Sequence, residues 1–381
     1  MADQVQSDPT DRTGEFVPSE EQRALRAAVD DYTARRWDDD RLRAVLDSAE
    51  RDPRDLRILG TDLGVLAIAL PEARGGDGAG LAVATVVAER LGRRLAAVPF
   101  TSALLAAEVL AGTDAVPSLL GDLVTGERLV VVVATDERGR WLPEQSSISA
   151  TETDRGWSLT GTAAHVVDAA DAATFLVLVG DTILVVDAAA TGITRTPITS
   201  MDLTRPQQTL AFAETLAVPV CDNGRALVLA ATDRAVVCLA AEALGAAERL
   251  LEVSVAHATA RIQFGRTIGS YQGVKHRLAD LLIAVEQTRS LVEHAAWSAD
   301  HLDGPDDDEP ALTASAARVV AAETLIAAAA TAIQVHGGIG FTWEHLAHLY
   351  FKRAHSDAVL WGGLVPHRER VAALALDTLV V

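Results

Sequence analysis

The chain has 381 residues, enough for two or three domains around a large core. Its 53 acidic and 33 basic side chains leave a formal net charge of −20, which argues against a chain that docks on nucleic acid or on an anionic membrane, since both need clustered cations. Apolar residues make up 49% of the sequence, so an ordered chain is expected, and Arg, Asp, Glu or His interrupts every apolar run before the ~20 residues a spanning helix needs.

Residues 1–17 read as a disordered tail, and the acidic start MADQVQSDPTDRTGEF lacks the positive region and apolar core of a signal peptide. Ser19 and Gln22 are spaced as a capping box, and a helical pattern follows to about Arg36. The run LGVLAIAL stops at Pro71, and Gly75-Gly76-Asp77-Gly78 predicts a turn. VATVVAERLGRRLAAV predicts another helix. Near Leu129 the character changes. LVVVVATD, WSLTG, AHVVDA, TFLVLVG and TILVVDA are short β-rich runs bounded by Gly, Asp or Thr, and predict a small antiparallel β domain. From about residue 224 the helical period returns. A long helix ends in the Arg261 region, a second runs from about Gln272 to His301, and a third covers about 311–335 after the acidic DGPDDDEP loop. The predicted domains are 18–125 (helical), 126–220 (β) and 221–381 (a bundle of about four helices), an α+β chain.

Two segments stand out as candidate sites. Gln334-Val335-His336-Gly337-Gly338-Ile339-Gly340 places glycines at a helix end, where backbone N–H groups can approach an anion closely, or where a glycine simply caps the helix. Arg261-Ile262-Gln263-Phe264-Gly265-Arg266, followed by Tyr271-Gln272, suits a bidentate hold on a pyrophosphate, or is an ordinary polar helix terminus. His345 and His348 are spaced i, i+3, yet the carboxylate or cysteine partners of a zinc site are not evident, so no metal is expected. Cys221 and Cys238 are the only cysteines, which excludes a disulfide framework and accords with a cytosolic setting. There is no G-x-S-x-G elbow, Walker A loop or G-x-G-x-x-G after a strand.

Taken together these segments resemble the acyl-CoA dehydrogenase family. LGVLAIALPEARGGDG is similar to its Pro-Glu-x-x-Gly-Gly loop, and ARIQFGRTIGSYQGVKHRLAD to its Arg-x-x-Phe-Gly…Gln…Ala-Asp signature. AIQVHGGIGFTWEHLAHLYFKRA is similar to its Gln-x-x-Gly-Gly-x-Gly segment, and MDLTRPQQTLAF to a strand of its β domain. The resemblance implies an N-terminal helical domain, a central antiparallel β domain and a C-terminal four-helix bundle, assembled as tetramers. It implies FAD as cofactor, an acyl-CoA thioester as substrate, α,β-dehydrogenation as reaction and a flavoprotein as electron acceptor. Arg261, Gln263, Phe264, Gln272, Gln334, His336, Gly337 and Gly338 correspond to residues that contact a neighbouring subunit's FAD.

The departures fall on the residues that would serve the chain's own flavin. The family's glutamate base corresponds to Trp361 of Trp361-Gly362-Gly363, and an alternative base position in the long helix to Ala235, with Val236 where an arginine often meets CoA. The flavin loop appears as Thr135-Asp136-Glu137-Arg138-Gly139, and His165 and Val167 stand where a tryptophan and a threonine pack on the ring. This pattern resembles base-lacking subunits of bacterial heteromeric acyl-CoA dehydrogenases that act on steroid side-chain thioesters. Two alternatives stay open: a homo-oligomeric enzyme with a relocated base such as Asp233 or Glu242, and a non-enzymatic paralogue that only oligomerises.

Overall fold

Among the described residues, six α-helices precede the sheet: α1 (Glu20–Arg36), α2 (Asp39–Ser48), the short α3 (Arg54–Arg57), α4 (Leu81–Arg93), α5 (Phe100–Ala111) and α6 (Pro117–Val124). The computed structural model describes residues 20–48, 51–113, 115–154, 156–302 and 307–377, so the expected tail and Ser19 lie outside it. The helix expected through residues 83–98 ends instead at Arg93. Leu95 adopts φ 51° with its side chain fully buried, and Pro99 then opens α5.

The sheet contains β1 (Val130–Val133), β2 (Ile148–Thr153), β3 (Gly156–Val167), β4 (Thr174–Val179), β5 (Thr182–Asp187), β6 (Ile193–Ile198) and β7 (Gln207–Cys221). The path is β1-β4-β5-β7-β3-β2, with β6 also on β7. Pairing is antiparallel except β1 with β4, which is parallel and departs from the wholly antiparallel domain expected. WSLTG and AHVVDA are one strand, β3. Register shifts against β7 between Leu159 and Gly161 and between Ala163 and Val166 bend it, which explains why it reads as two runs. The MDLTRP part of the expected strand is a loop, and β7 starts at Gln207.

Three long helices form the second helical layer: α7 (Gly224–Ala260), α8 (Gln272–His301) and α9 (Glu309–His336), joined by the shorter α10 (Ala347–Asp357) and α11 (Leu364–Asp377). Between α7 and α8 a two-strand hairpin, β8 (Ile262–Gln263) and β9 (Arg266–Thr267), replaces a plain helix terminus. Alanine-rich surfaces let α7 bury every residue from Ala235 to Ala247. Where α4 crosses it, a Cβ on Gly92 would lie 2.0 Å from the Glu242 carbonyl oxygen, and one on Gly245 1.9 Å from the Glu89 carbonyl oxygen. By length and composition alone α9 could cross a bilayer, contrary to the sequence expectation; it is the central helix of the bundle, with Ala317, Ala321, Leu325, Ala328 and Ala332 fully buried. A remote side chain caps α4: the Asp300 carboxylate on α8 accepts the N–H groups of Leu81 (2.7 Å) and Ala82 (2.9 Å).

Candidate functional site

A cavity of about 320 Å³ lies where α5, the sheet and the turn between α10 and α11 meet. Leu105, Val131, Val132 and Val167 make its apolar wall, Trp141 and Trp361 its aromatic wall, and Ser102, Thr135, Arg138, His165 and Gln207 its polar positions. Backbone strain gathers here. His165, Leu142 and Trp361 have φ of 57°, 47° and 45°, a region bulky residues seldom occupy. The His165 ring lies against Gly139, whose added Cβ would come 2.6 Å from it, and its Nδ1 is 2.8 Å from Gln207 Oε1. The 135–139 loop closes on itself: Asp136 accepts the N–H groups of Arg138 and Arg140, and Thr135 Oγ1 donates to the Ala164 carbonyl. Among the described residues, no aspartate or glutamate lines this cavity.

Trp361 is 8% exposed and is held by its backbone. His367 Nε2–H donates to the Trp361 carbonyl (3.2 Å), which fixes the tautomer that lets Nδ1 accept from Ser315 (3.2 Å). Arg318, fully buried on α9, donates to the carbonyls of Asp357 and Leu360. Beside the turn lies a buried ion network. Arg205 pairs with Glu242 and, at 3.4 Å, with Asp357; Arg353 pairs with Asp202 (2.8 Å) and Glu242 (3.5 Å). These pairs tie the loop before β7 to α7 and α10. Removing one partner would strand a buried charge at a cost of about 3–5 kcal/mol.

That network decides the standing of Glu242. Burial pushes its carboxyl upward, as a base would need, but its oxygens are taken by Thr101, Arg205 and Arg353, and it does not reach the cavity. Asp233 is likewise pushed up by burial, yet both its oxygens are held by Arg370. The neighbouring Arg234 pairs with Glu108 and donates to the carbonyls of Ala299 and Ala69, so it is a bundle brace. The sequence could not reveal these pairings, since the partners lie up to 165 residues away.

The eight residues singled out as flavin contacts are gathered elsewhere, on an edge sharing no residue with the cavity. Arg261 ends α7 in extended conformation. Phe264 and Gly265, at φ 52° and 79°, form the two-residue turn of the β8–β9 hairpin, and Phe264 is 93% exposed. Gln263 is exposed, and Gln272 is the first residue of α8, also exposed. Gln334 is exposed on the last turn of α9, and His336 is its last residue. The His257 and His336 rings, 4.4 Å apart, join the ends of α7 and α9. Gly337 has φ 64°, and a Cβ on either Gly337 or Gly338 would meet nothing within 4 Å, so this backbone faces open space. Arg266 packs over the Tyr271 ring at 3.8 Å.

The sequence matches the family models "Acyl-CoA dehydrogenase, N-terminal domain" over residues 19–127 and "Acyl-CoA dehydrogenase, C-terminal domain" over residues 222–375. Acyl-CoA dehydrogenase IpdE2 of Mycobacterium tuberculosis is 35% identical over 348 residues, covering 91% of this chain and 94% of that protein. The chain belongs to the acyl-CoA dehydrogenase family. Among solved structures, a variant of the Tcur3481-Tcur3483 steroid ACAD superposes with a TM-score of 0.84 at 29% identity, covering 96% of this chain and 100% of that one. The ChsE4-ChsE5 complex from Mycobacterium tuberculosis gives 0.83 at 29%, covering 96% and 99%. This relates the chain to steroid-type members, and membership brings FAD as the cofactor. The exposed edge fits a dinucleotide: a guanidinium, glutamine amides and glycine backbone facing open space suit a diphosphate. The cavity fits it poorly, because Trp361 and His165 stand in it and its volume is at the small end for ligand pockets.

Proposed function

We propose that this chain is the partner subunit of a heteromeric, FAD-dependent acyl-CoA dehydrogenase, holding a flavin that belongs chiefly to a second, base-bearing subunit. The observation that carries this reading is the division between its two sites. The cavity wall has no carboxylate among the described residues, while the flavin-contact residues all lie on an outward edge. The two steroid-type structures support a heteromer and a bulky, steroid-derived acyl-CoA substrate. Unpaired Cys221 and Cys238 support a cytosolic setting.

Bound FAD supplies the acceptor for a hydride from the β-carbon of the thioester. This chain's residues act around it. Arg261 pairs with the diphosphate, and the Gly337-Gly338 turn, whose Gly337 N–H is held by the Ile333 carbonyl, lets the backbone be approached without a side chain between. Gln272 and Gln334 offer amides to the adenosine end, His336 anchors the glycine turn, and Gln263 and Phe264 present a polar and an apolar contact on the hairpin. Trp361 and His165 fill the chain's own cleft and exclude a second flavin there.

The test is to purify the chain alone and with a co-expressed, glutamate-bearing homologue. Flavin and dehydrogenase activity are expected only in the complex. A yellow, active homomer overturns the reading.

A further inference from the structure

Three imidazoles lie ring over ring where the two halves of the exposed edge meet. His257 comes from the last turn of α7, His336 ends α9, and His345 sits in the turn leading to α10. Ring centroids are 4.4 Å apart between His257 and His336 and 4.1 Å between His336 and His345, with planes inclined 36° and 42°. Three separate segments are thus joined through one stack. His336 Nδ1 donates to the Ala332 carbonyl (2.8 Å), so the central ring is locked to its own helix. His345 Nδ1 accepts the Ala347 N–H (3.1 Å), which leaves the proton on Nε2.

Both flavin-facing segments hang from these rings. Gly337 leaves His336 directly at φ 64°, and the Arg261 N–H donates to the His257 carbonyl (2.9 Å). We propose that His257 and His345 are positioning residues. They clamp His336 between them, hold the Gly337-Gly338 turn and the Arg261 segment in register for a diphosphate, and release both when the stack is protonated. The proposal rests on the reading that this edge serves a neighbour's flavin.

The surroundings favour release. His257 faces His336 and Arg261; His345 faces His336, His257, His348 on α10 and Asp39 on α2; Lys352 and Arg43 flank His348. Asp39 is the one carboxylate among these groups. Burial, followed by the neighbouring imidazoles, pushes His345 down to about 4, and burial likewise lowers His257. His257 and His345 are therefore neutral near pH 7. Protons they take up in acid set like charges against one another at the distance of the ring contacts. A protonated histidine by itself would attract a diphosphate, so opening of the stack and simple electrostatics predict opposite effects on flavin.

The experiment follows flavin release from the co-expressed complex between pH 7.5 and 4, the range that spans the lowered His345 value, using fluorescence of the freed flavin. Wild-type release should quicken at least about fivefold over this range, the scale of an ordinary coupling between sites. H257F with H345F, which keeps the rings and cannot titrate, should hold flavin at pH 7.5 and lose the acid step. His257→Ala should release flavin faster already at pH 7.5. Parallel pH profiles in wild type and the double phenylalanine variant overturn the clamp, as does tighter flavin binding in acid. A complex without flavin at pH 7.5 instead overturns the partner-subunit reading. The clamp is then read from amide exchange at Gly338 and Ile339 in the chain alone. Protection relative to the intrinsic rate, which itself slows in acid, should fall with pH in wild type and not in the double variant, and equal protection in both overturns it.

Discussion

Trp141 and Trp361 face each other across the cavity, their ring centroids 6.3 Å apart and their planes inclined 48°. One ring comes from the loop after β1 and the other from the turn after α10, so the pair closes the cleft between sheet and bundle from both sides. On the partner-subunit reading, a chain working on its own flavin would have to admit a ring and a thioester at this corner. Here two indoles occupy it.

Trp361→Glu is therefore expected to weaken the fold and restore nothing. An unpaired carboxyl at this buried position costs about 1–3 kcal/mol. The denaturation midpoint of the complex should fall accordingly. A dye-reduction assay on complexes whose partner has lost its base should stay silent, because on the partner-subunit reading the family's flavin loop, here residues 135–139, and the CoA arginine, here Val236, are missing as well. Recovered activity would mean that only the base had been lost.

On the exposed edge, binding and folding separate cleanly. Arg261→Ala should cost roughly 1.5–3 kcal/mol of flavin binding in the complex if the contact is direct, which is about a 10–150-fold weaker hold. Gly338→Val should also lower flavin occupancy, while a Cβ there meets nothing in this chain. Its unfolding midpoint should remain close to wild type. Full flavin in both variants would make the edge structural only.

The crossing of α4 and α7 predicts the reverse: a fold effect with no ligand involved. Alanine at Gly92 or Gly245 would drive a methyl group into the backbone of the opposite helix. Overpacking of this kind costs typically about 1–3 kcal/mol. Urea unfolding of each single variant measures it, and an unchanged midpoint would show that the helices separate freely.

Acid should loosen the Trp361 turn through His367. Burial, with Arg318 adding to it, pushes this imidazole down to about 4 from an ordinary 6.5. Unfolding then takes up a proton between these values, so the stabilisation is full above pH 6.5 and lost as pH falls toward 4. The shift corresponds to roughly 3 kcal/mol. Urea midpoints from pH 7 to 4.5 should fall in wild type and fall less in His367→Gln. Parallel slopes would remove His367 as the cause.

The order of helical, β and helical segments was legible because each period persists over many residues. The limits of α8 and α9 lie within two residues of expectation. Shorter features were hidden by physics that is not local. Leu95 breaks the α4–α5 segment at a positive φ that no glycine announces. The hairpin at Phe264 was invisible for the same reason, as its first turn position is a residue that disfavours that conformation. At the site, Trp361 and His165 stood out only through family resemblance. That Glu242 is bound by Arg205 and Arg353 emerged only once α7, α10 and the loop before β7 were set side by side.

The capping of α4 by Asp300 has a consequence for how the protein is made. The N–H of Leu81 waits for a carboxylate 219 residues further along the chain. At ribosomal speeds of about 5–20 residues per second, that partner is synthesised roughly 10–40 s later. Until then the first turn of α4 can be satisfied only by water, and the face meant for α7 and α8 stays uncovered. The amino-terminal helices thus leave the ribosome as an unfinished half, with apolar surface open to water until the carboxy-terminal bundle arrives to complete it.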